Sequence, residues 1–136
     1  MKDSKKTLEF KFERDIPASP SEVFAAWLSA KIPGTPWHLA DKHSLDPKVD
    51  GLFYWTVKGK SIYGRFTEIE SGRLIRHTWV SPNTLGLEST VTLTFEKKGD
   101  GTRMTLLHSD LPDHELALGH EKGWLYFLDL FPAQFR

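Results

Sequence analysis

Two histidines are the side chains of this sequence best suited to chemistry on a small molecule. His77 and His108 fall at alternating positions that predict the apolar faces of two adjacent strands. A neutral imidazole can donate one hydrogen bond and accept another, so either ring could anchor a carbonyl or a phenol. Acid–base catalysis would need a partner within about 3 Å, such as Arg65, Glu68 or Asp110, and the spacing does not provide one. We therefore predict no catalytic residue, and a structural role in the core is the alternative for both histidines.

A dense set of aromatic residues accompanies these histidines. Phe53 and Trp55 are predicted to share one strand face, as are His77 and Trp79. Large aromatic side chains with a few polar anchors are the usual lining of small-molecule sites, although the same residues could simply fill a core. The predicted ligand-binding residues are Trp27, Trp37, Phe53, Trp55, Tyr63, Arg65, His77, Trp79, His108, Trp124, Phe127 and Phe131.

Metal sites and other reaction centres are not indicated. His114, Glu115, His120 and Glu121 have the composition of a metal site, but no two of these histidines stand four residues apart as a helical zinc site requires. We expect these four residues to lie in the solvated start of the last helix. The sequence also has no cysteine, no glycine-rich phosphate loop and no nucleophile elbow. Neither a metal nor a cofactor is expected, and hydrolases and nucleotide-dependent enzymes have no support.

Composition and length narrow the class of protein further. Lys and Arg number 18 and Asp and Glu number 18, so the formal net charge is zero and a nucleic-acid partner is not expected. No apolar run is long enough to predict a membrane span. Residues 1–6 lack the apolar core of a signal peptide, so a cytoplasmic location is expected. With 136 residues, we expect one domain over residues 1–136.

The first forty residues predict one strand and two short helices. Alternation of apolar and charged residues indicates a strand over residues 7–15. Residues 19–22, Ser-Pro-Ser-Glu, are typical of a helix start because serine caps the helix and proline suits its first position. Two prolines and a glycine within residues 31–36 allow only a short helical piece over residues 37–40, which we interpret as a rim or lid.

The rest of the sequence predicts an antiparallel meander followed by a helix. Strands are expected over residues 53–57, 62–69, 74–80 and 89–96, and from Gly101 onwards. Residues 120–131 form a segment that is apolar on nearly every side, which predicts a helix enclosed by the sheet. Pro132 should end this helix because proline clashes with the preceding helical turn.

Five segments of the chain carry a family resemblance. They are residues 16–27, 63–69, 73–79, 99–108 and 123–124. In this order they resemble the activator-of-heat-shock-chaperone-ATPase-like branch of the START-related superfamily (SRPBCC), whose fold is the helix grip of the birch-pollen allergen. The resemblance implies an α+β fold in which a curved antiparallel sheet of six or seven strands surrounds a long C-terminal helix, with short helices after strand one. Residues 50–51 are Asp-Gly where many relatives have paired glycines, so we expect an altered cavity mouth.

The resemblance implies more than one function. We favour non-catalytic binding of a small hydrophobic or aromatic ligand between the sheet and the helix. The alternative is a chaperone (heat-shock ATPase) co-factor or stress-related interaction module, which would dock through an exposed apolar rim around Trp27, Ile32 and Trp37. A third hypothesis is a polyketide-cyclase-like enzyme that uses His108 as general acid or base. A homodimer is also predicted, through Leu118, Leu125 and Leu128.

Overall fold

Within residues 7–136, the part of the chain that this computed structural model describes, seven strands and three α-helices form. They follow in the order β1 (Thr7–Ile16), α1 (Pro20–Trp27), α2 (Pro36–Leu39), β2 (Lys42–Leu45), β3 (Leu52–Val57), β4 (Lys60–Glu70), β5 (Leu74–Trp79), β6 (Ser89–Lys98), β7 (Gly101–Pro112) and α3 (Glu115–Leu130), with short 3-10 turns at Pro82–Thr84 and Pro132–Phe135. Residues 1–6, for which no signal peptide was predicted, lie outside the described range. Among the described residues, no helix is both long enough and apolar enough to cross a membrane.

One antiparallel sheet contains all seven of these strands, in the order β1-β7-β6-β5-β4-β3-β2. Strands that follow one another from β2 to β7 are neighbours, and β1 pairs with β7 so that Phe12 lies opposite Leu106. The sheet curves around α3, which confirms the predicted α+β helix-grip architecture. The sequence pattern did not predict β2, because its four residues are mostly exposed and do not alternate between apolar and polar.

The two short helices begin at capped positions. The backbone N–H of Glu22 donates to Ser19 Oγ at 3.2 Å, so α1 begins where the sequence predicted. The backbone N–H of His38 donates to Thr35 Oγ1 at 3.2 Å and caps α2 in the same way. Trp27 at the end of α1 is buried, so this helix packs its last turn into the core.

The last helix differs from its prediction at its start and in its exposure. It begins at Glu115, ahead of the apolar segment 120–131 that predicted it, and His114 caps it by accepting a hydrogen bond from the Leu116 N–H at 3.1 Å. It ends at Leu130, just before Pro132, as predicted, and a 3-10 turn follows from Pro132. The expectation that it is apolar on nearly every side is wrong, because its buried side chains lie on one face, namely Ala117, His120, Trp124, Phe127 and Leu128.

The three leucines proposed for a dimer do not form one exposed surface. Leu118 is 53% exposed, whereas Leu128 is 2% exposed and belongs to the core. Leu125 is half-buried between these extremes. The structure therefore corrects the predicted dimer face, although a homodimer itself stays a prediction.

Candidate functional site

A cavity lies between the sheet and α3, where three neighbouring strands face the helix. Its volume is about 190 Å³. The residues that line it are Trp55, Val57, Lys60, Ile62, Trp79, Ser81, Pro82, Asn83, Gly119, His120, Gly123, Trp124 and Phe127. Most of the lining is apolar, which is the usual make-up of a small-molecule site.

The strand register builds the sheet side of the cavity. Trp55 on β3 lies opposite Ile62 on β4, and Trp79 is the last residue of β5. The Trp55 and Trp79 rings have centroids 5.9 Å apart. All three side chains are buried, whereas Lys60 at the start of β4 is exposed, so the cavity has an aromatic floor and a solvated rim.

Two glycines on α3 form part of the helix side of the cavity. A methyl group added at Gly123 would meet no atom within 4 Å, and one added at Gly119 would lie 3.1 Å from the Asn83 side-chain nitrogen. Each glycine in a helix interior costs about 1 kcal/mol relative to alanine. The helix therefore carries a stability cost at the position where it faces open space.

The indole of Trp55 has an unused hydrogen-bond donor. Its side chain is 4% exposed, and Nε1 is one of two buried side-chain polar atoms of the described residues that have no hydrogen-bond partner. The other is Nε1 of Trp27, which does not line the cavity. An unpaired buried donor costs roughly 1–3 kcal/mol. This nitrogen has almost no accessible surface, so a molecule in the cavity does not reach it in this structure.

His108 lies behind the cavity floor, and both of its ring nitrogens form hydrogen bonds within the core. Trp124 donates from Nε1 to His108 Nδ1 at 2.9 Å, so the proton of this neutral ring is on Nε2. His108 Nε2 then donates to Ser89 Oγ at 2.8 Å, and Ser89 Oγ donates to the Trp79 carbonyl at 2.7 Å. Burial, together with the nearby rings of His120 and His77, lowers the pKa of His108 from 6.5 to about 2.

His120 lines the cavity, although the sequence argument assigned it to the solvated start of the last helix. It is 8% exposed, and that assignment is therefore wrong. Its Nδ1 donates to the Ala117 carbonyl at 2.9 Å, while Nε2 accepts from Trp79 Nε1 at 3.3 Å. Burial lowers the pKa of His120, partly opposed by the Ala117 carbonyl, so the ring is neutral near pH 7.

The two histidines singled out from the sequence do not meet. They were predicted on adjacent strands, but β6 lies between β5 and β7, and Val91 separates His77 from His108. His77 donates from Nδ1 to the Thr78 carbonyl at 2.8 Å and packs against Phe53, with ring centroids 4.7 Å apart. Burial lowers the pKa of His77 to about 4, and His77 lies outside the cavity lining.

Four more of the predicted ligand-binding residues lie in a sealed part of the core beside the cavity. Trp37 donates from Nε1 to the Trp27 carbonyl at 2.7 Å, and its ring packs edge-on against Phe53. The Trp27 and Phe131 rings have centroids 5.1 Å apart. Both tryptophans are 1% exposed, so the exposed docking rim predicted around Trp27, Ile32 and Trp37 is not present.

Tyr63 and Arg65 point away from the cavity. On β4 the buried residues are Ile62, Gly64 and Phe66, so Tyr63 and Arg65 lie on the outer face of the sheet. Tyr63 is 50% exposed, and Arg65 pairs with Asp50 at 3.0 Å. The prediction that these two residues contact a ligand in the cavity is therefore corrected.

Trp55, Trp79, Trp124 and Phe127 are the predicted residues that line the cavity. The other lining residues were not predicted from the sequence, and they are Val57, Lys60, Ile62, Ser81, Pro82, Asn83, Gly119, His120 and Gly123. One signal could have found part of this set, because glycines four residues apart in a helical pattern lie on the same helix face. Among the described residues, no group of three or more His, Cys, Asp or Glu side chains is placed to hold a metal ion.

A family model and several solved structures match this chain. The model describes the "Activator of Hsp90 ATPase homolog 1-like protein" family and matches residues 17–135. No curated protein matches the sequence significantly.

Three of the similar solved structures show how closely the folds agree. A crystal structure of a Mesorhizobium loti protein has a TM-score of 0.78 at 19% identity, covering 93% of this chain and 95% of that one. An HSP90 activator from Plasmodium falciparum has a TM-score of 0.70 at 25% identity, covering 85% and 86%. The solution structure of the Aha1 dimer from Colwellia psychrerythraea has a TM-score of 0.74 at 16% identity, covering 94% and 96%.

Proposed function

The chain belongs to the family of activator of Hsp90 ATPase homolog 1-like proteins, and we propose that it binds a small apolar or aromatic molecule in the cavity between the sheet and α3. The observation that carries the proposal is a concave pocket of about 190 Å³ with buried aromatic side chains on its floor and the exposed Gly123 at its mouth, where no side chain of α3 fills the space. A concave site that is mostly apolar and has a few polar groups at its rim is the usual make-up of a small-molecule site, which supports the proposal.

The size of the cavity restricts the ligand. An engineered apolar cavity of about 150 Å³ binds benzene, whereas sites for drug-sized ligands measure about 300–1,000 Å³. The present cavity, at about 190 Å³, lies close to the lower of these values. We therefore propose a ligand with one ring and a small substituent, and not a lipid or a fused-ring polyketide.

The histidines support binding without turnover. Both ring nitrogens of His108 are used by Trp124 and Ser89, and the side chain is 0% exposed. His120 faces the cavity, but its nitrogens are likewise used, by Ala117 and Trp79. A general base needs a free lone pair within reach of the substrate proton, so these contacts argue against the cyclase-like hypothesis.

Filling the cavity tests this proposal. Toluene and phenol should each raise the melting temperature of the protein saturably, since ligand at one hundred times its dissociation constant adds about 2.7 kcal/mol. Gly123→Leu should fold normally and lose this response, because the new side chain would occupy the open space. Glu121→Leu places the same side chain on the exposed face of α3 and should keep the response. A flat wild-type response to both compounds, or an equal response from Gly123→Leu, would refute the proposal.

A second candidate function is the chaperone co-factor, and one observation favours it. The outer face of the sheet carries an apolar patch, which we call the outer patch and which consists of Leu52, Tyr54 and Tyr63. Leu52 is 64% exposed, and the two tyrosines lie directly opposite each other on β3 and β4. Exposed apolar patches often mark protein-binding surfaces.

Measuring the ATPase rate of an HSP90-type chaperone tests this candidate. If the outer patch docks on the chaperone, the wild-type protein should raise the rate and Tyr63→Ser should lose most of that effect. Tyr126→Ser on α3 is a matched control, because Tyr126 is 53% exposed and lies outside the outer patch. No stimulation by the wild-type protein, or equal loss in both variants, would count against a docking role for the outer patch.

A further inference from the structure

We propose that the free edge of β1 pairs with the same edge of a second copy of this chain, so that two sheets join across a two-fold axis at Phe10. This edge lies at the other end of the sheet from β3 and β4, which line the cavity, and the proposal does not depend on a ligand. It is carried by an unpaired strand edge, by charges that complement themselves in one register, and by apolar side chains beside that edge.

The free edge of β1 is long and regular. The strand has ten residues, contains no proline and stands at one end of the sheet. Among the described residues, the backbone of residues 7–15 forms backbone hydrogen bonds only with β7, so every second residue presents its N–H and C=O outward. The irregularity in this pairing lies in β7 at Asp110, which has a φ of +61°, and β1 itself stays regular. Such an edge is a template for pairing with another strand.

The side chains of β1 complement a second copy when Phe10 lies opposite its own counterpart. Glu9 and Lys11 are exposed on either side of Phe10. In an antiparallel pair centred on Phe10, Glu9 of each chain lies opposite Lys11 of the other, and Leu8 lies opposite Phe12. Opposite-charge pairs and apolar pairs across two strands are both stabilising. The paired segment would add about six backbone hydrogen bonds.

The neighbouring registers are unfavourable, which fixes the pairing. A two-fold axis at Lys11 would place Glu9 opposite Glu13 and the two lysines opposite each other. An axis at Glu9 would place two glutamates together, and one at Phe12 would place Glu9 opposite Asp15. Like charges directly opposite each other destabilise a strand pair. The charges of β1 therefore select the register proposed above.

Apolar side chains near this edge are not used by the core. Phe12 packs against the core cluster, whereas Leu8 and Phe10 are half-buried and lie outside it. On α3, Leu118 is 53% exposed. A second copy on the β1 edge would give these three exposed or half-buried side chains an apolar partner.

The flank of α3 that carries Leu118 lies on the β1 side. Arg14 on β1 pairs with Asp129 on α3 at 3.7 Å, and Leu118 precedes Asp129 by about three helical turns, so the two share a flank. Strand and helix run in the same direction, because Thr7 lies opposite Pro112 just before α3 begins.

Leu118 also stands near the level of the proposed axis. It is about 16 Å from Asp129 along the helix, and Phe10 is about 13 Å from Arg14 along the strand. An axis through Phe10 keeps both copies of α3 on one face of the joined sheet, because residues of the same face lie opposite each other. The exposed flanks that carry Leu118 would then face each other across the axis.

Charge reversal on β1 tests the proposal. The wild-type protein should sediment as a dimer at micromolar concentrations. Lys11→Glu should weaken the dimer about thirtyfold at low salt, because it makes two attractive cross-strand pairs repulsive. Glu9→Lys should do the same, and the double variant Glu9→Lys/Lys11→Glu should restore the dimer to within about threefold. Lys42→Glu is the matched control, since Lys42 is exposed on β2 at the other edge of the sheet, and it should have no effect.

Single cysteines test the register directly, because the sequence has no cysteine of its own. Phe10→Cys places the two thiols at the axis, where opposite Cα atoms are about 4.5–5.5 Å apart, within the range of a disulfide. It should give a disulfide-linked dimer under mild oxidation. Phe12→Cys should not, because its two positions would lie about 13 Å apart along the paired strands.

Each result decides for or against this interface. Recovery of the dimer in the double variant supports it, because a second charge change would not reverse a folding defect. A wild-type protein that stays monomeric would overturn it and leave this edge to a strand of another protein. It would also be overturned if Lys11→Glu and Lys42→Glu had equal effects, or if Phe12→Cys cross-linked as readily as Phe10→Cys.

Discussion

The interface between α3 and the sheet has two halves with the same kinds of residue and opposite packing. In the sealed half, Phe131 packs edge-on against Trp27, and Phe53 packs edge-on against Trp37. In the cavity half, Phe127 lies beside an open volume of about 190 Å³. Aromatic content therefore does not determine whether a region is core or cavity.

A pair of glycines accounts for part of the difference. A methyl group on Gly34 would lie 2.4 Å from the backbone nitrogen of Phe131, so glycine allows the chain to approach the end of α3 closely. A methyl group on Gly123 would meet no atom within 4 Å. Gly34 permits tight packing and Gly123 leaves space, so substitutions at these two glycines should have opposite effects on stability.

The largest expected effect comes from matched truncations in the two halves. Phe131→Ala should cost about 3–5 kcal/mol, because it leaves a void in a closely packed site. Phe127→Ala should cost about 1–2 kcal/mol less than Phe131→Ala. The Phe127 ring already borders open space, so its removal loses fewer packing contacts. Urea denaturation of the two variants measures the difference. Equal losses would show that the cavity half is as tightly packed as the sealed half.

Low pH should destabilise the protein through its buried histidines. The folded pKa values of His77 and His108 are lowered to about 4 and about 2, while the unfolded state keeps the ordinary value of 6.5. Below pH 6.5 the unfolded chain therefore binds protons that the folded chain does not, and the free energy of unfolding falls. Between pH 7.5 and pH 5 the loss should be about 2 kcal/mol for each histidine.

Histidine variants check the source of that pH dependence. His108→Gln should remove about 2 kcal/mol of the loss between pH 7.5 and pH 5 and leave the part due to His77 and His120, whereas His43→Gln, at an exposed position on β2, is the control. The Asp15 carboxylate does not interfere, because Arg103 and Lys98 lower its pKa from 3.8, below this window. A His108→Gln profile parallel to that of the wild type would rule out His108 as a source.

Gly34→Ala should destabilise the sealed half by about 3 kcal/mol, through overpacking against Phe131 and through its φ of +95°. Gly59→Ala is the matched control, since Gly59 has a φ of +80° but no atom within 4 Å of an added methyl group. The control should cost only about 1 kcal/mol, the backbone part of the effect. Thermal unfolding of both variants measures how much of the loss comes from the close approach to Phe131. Equal losses of stability in the two variants would mean that the close approach contributes nothing.

The fold of this chain was largely predictable from local patterns, whereas the cavity was not. Alternation identified the long strands, Ser19 marked the start of α1, and Pro132 marked the end of α3. These signals act within a few residues of the chain. The short edge strand β2 carries no such alternation and was missed.

The candidate site depends on contacts between distant segments, which explains the errors there. Tyr63 and Arg65 were assigned to the cavity by residue type, although the burial of Ile62 and Phe66 puts them on the outer face. His120 looked solvated beside charged neighbours, but the helix turns it toward Trp79, 41 residues away in sequence. A cavity is a volume that side chains do not fill, and periodicity predicts which side chains face inward but not how completely they fill the space.

Gly123→Ala has the smallest expected effect and tests the cavity half most directly. Alanine should stabilise the helix by about 0.5–1 kcal/mol, because it restricts the unfolded chain and the methyl group meets no atom. The same methyl group should weaken toluene binding about fourfold, the equivalent of one methylene contact. Denaturation and titration of this variant measure the two quantities. Higher stability with unchanged affinity would mean that the space at Gly123 does not belong to a ligand. Higher stability with lower affinity would mean that the helix gives up stability at this position to keep room for one, which is the usual relation between stability and function at a binding site.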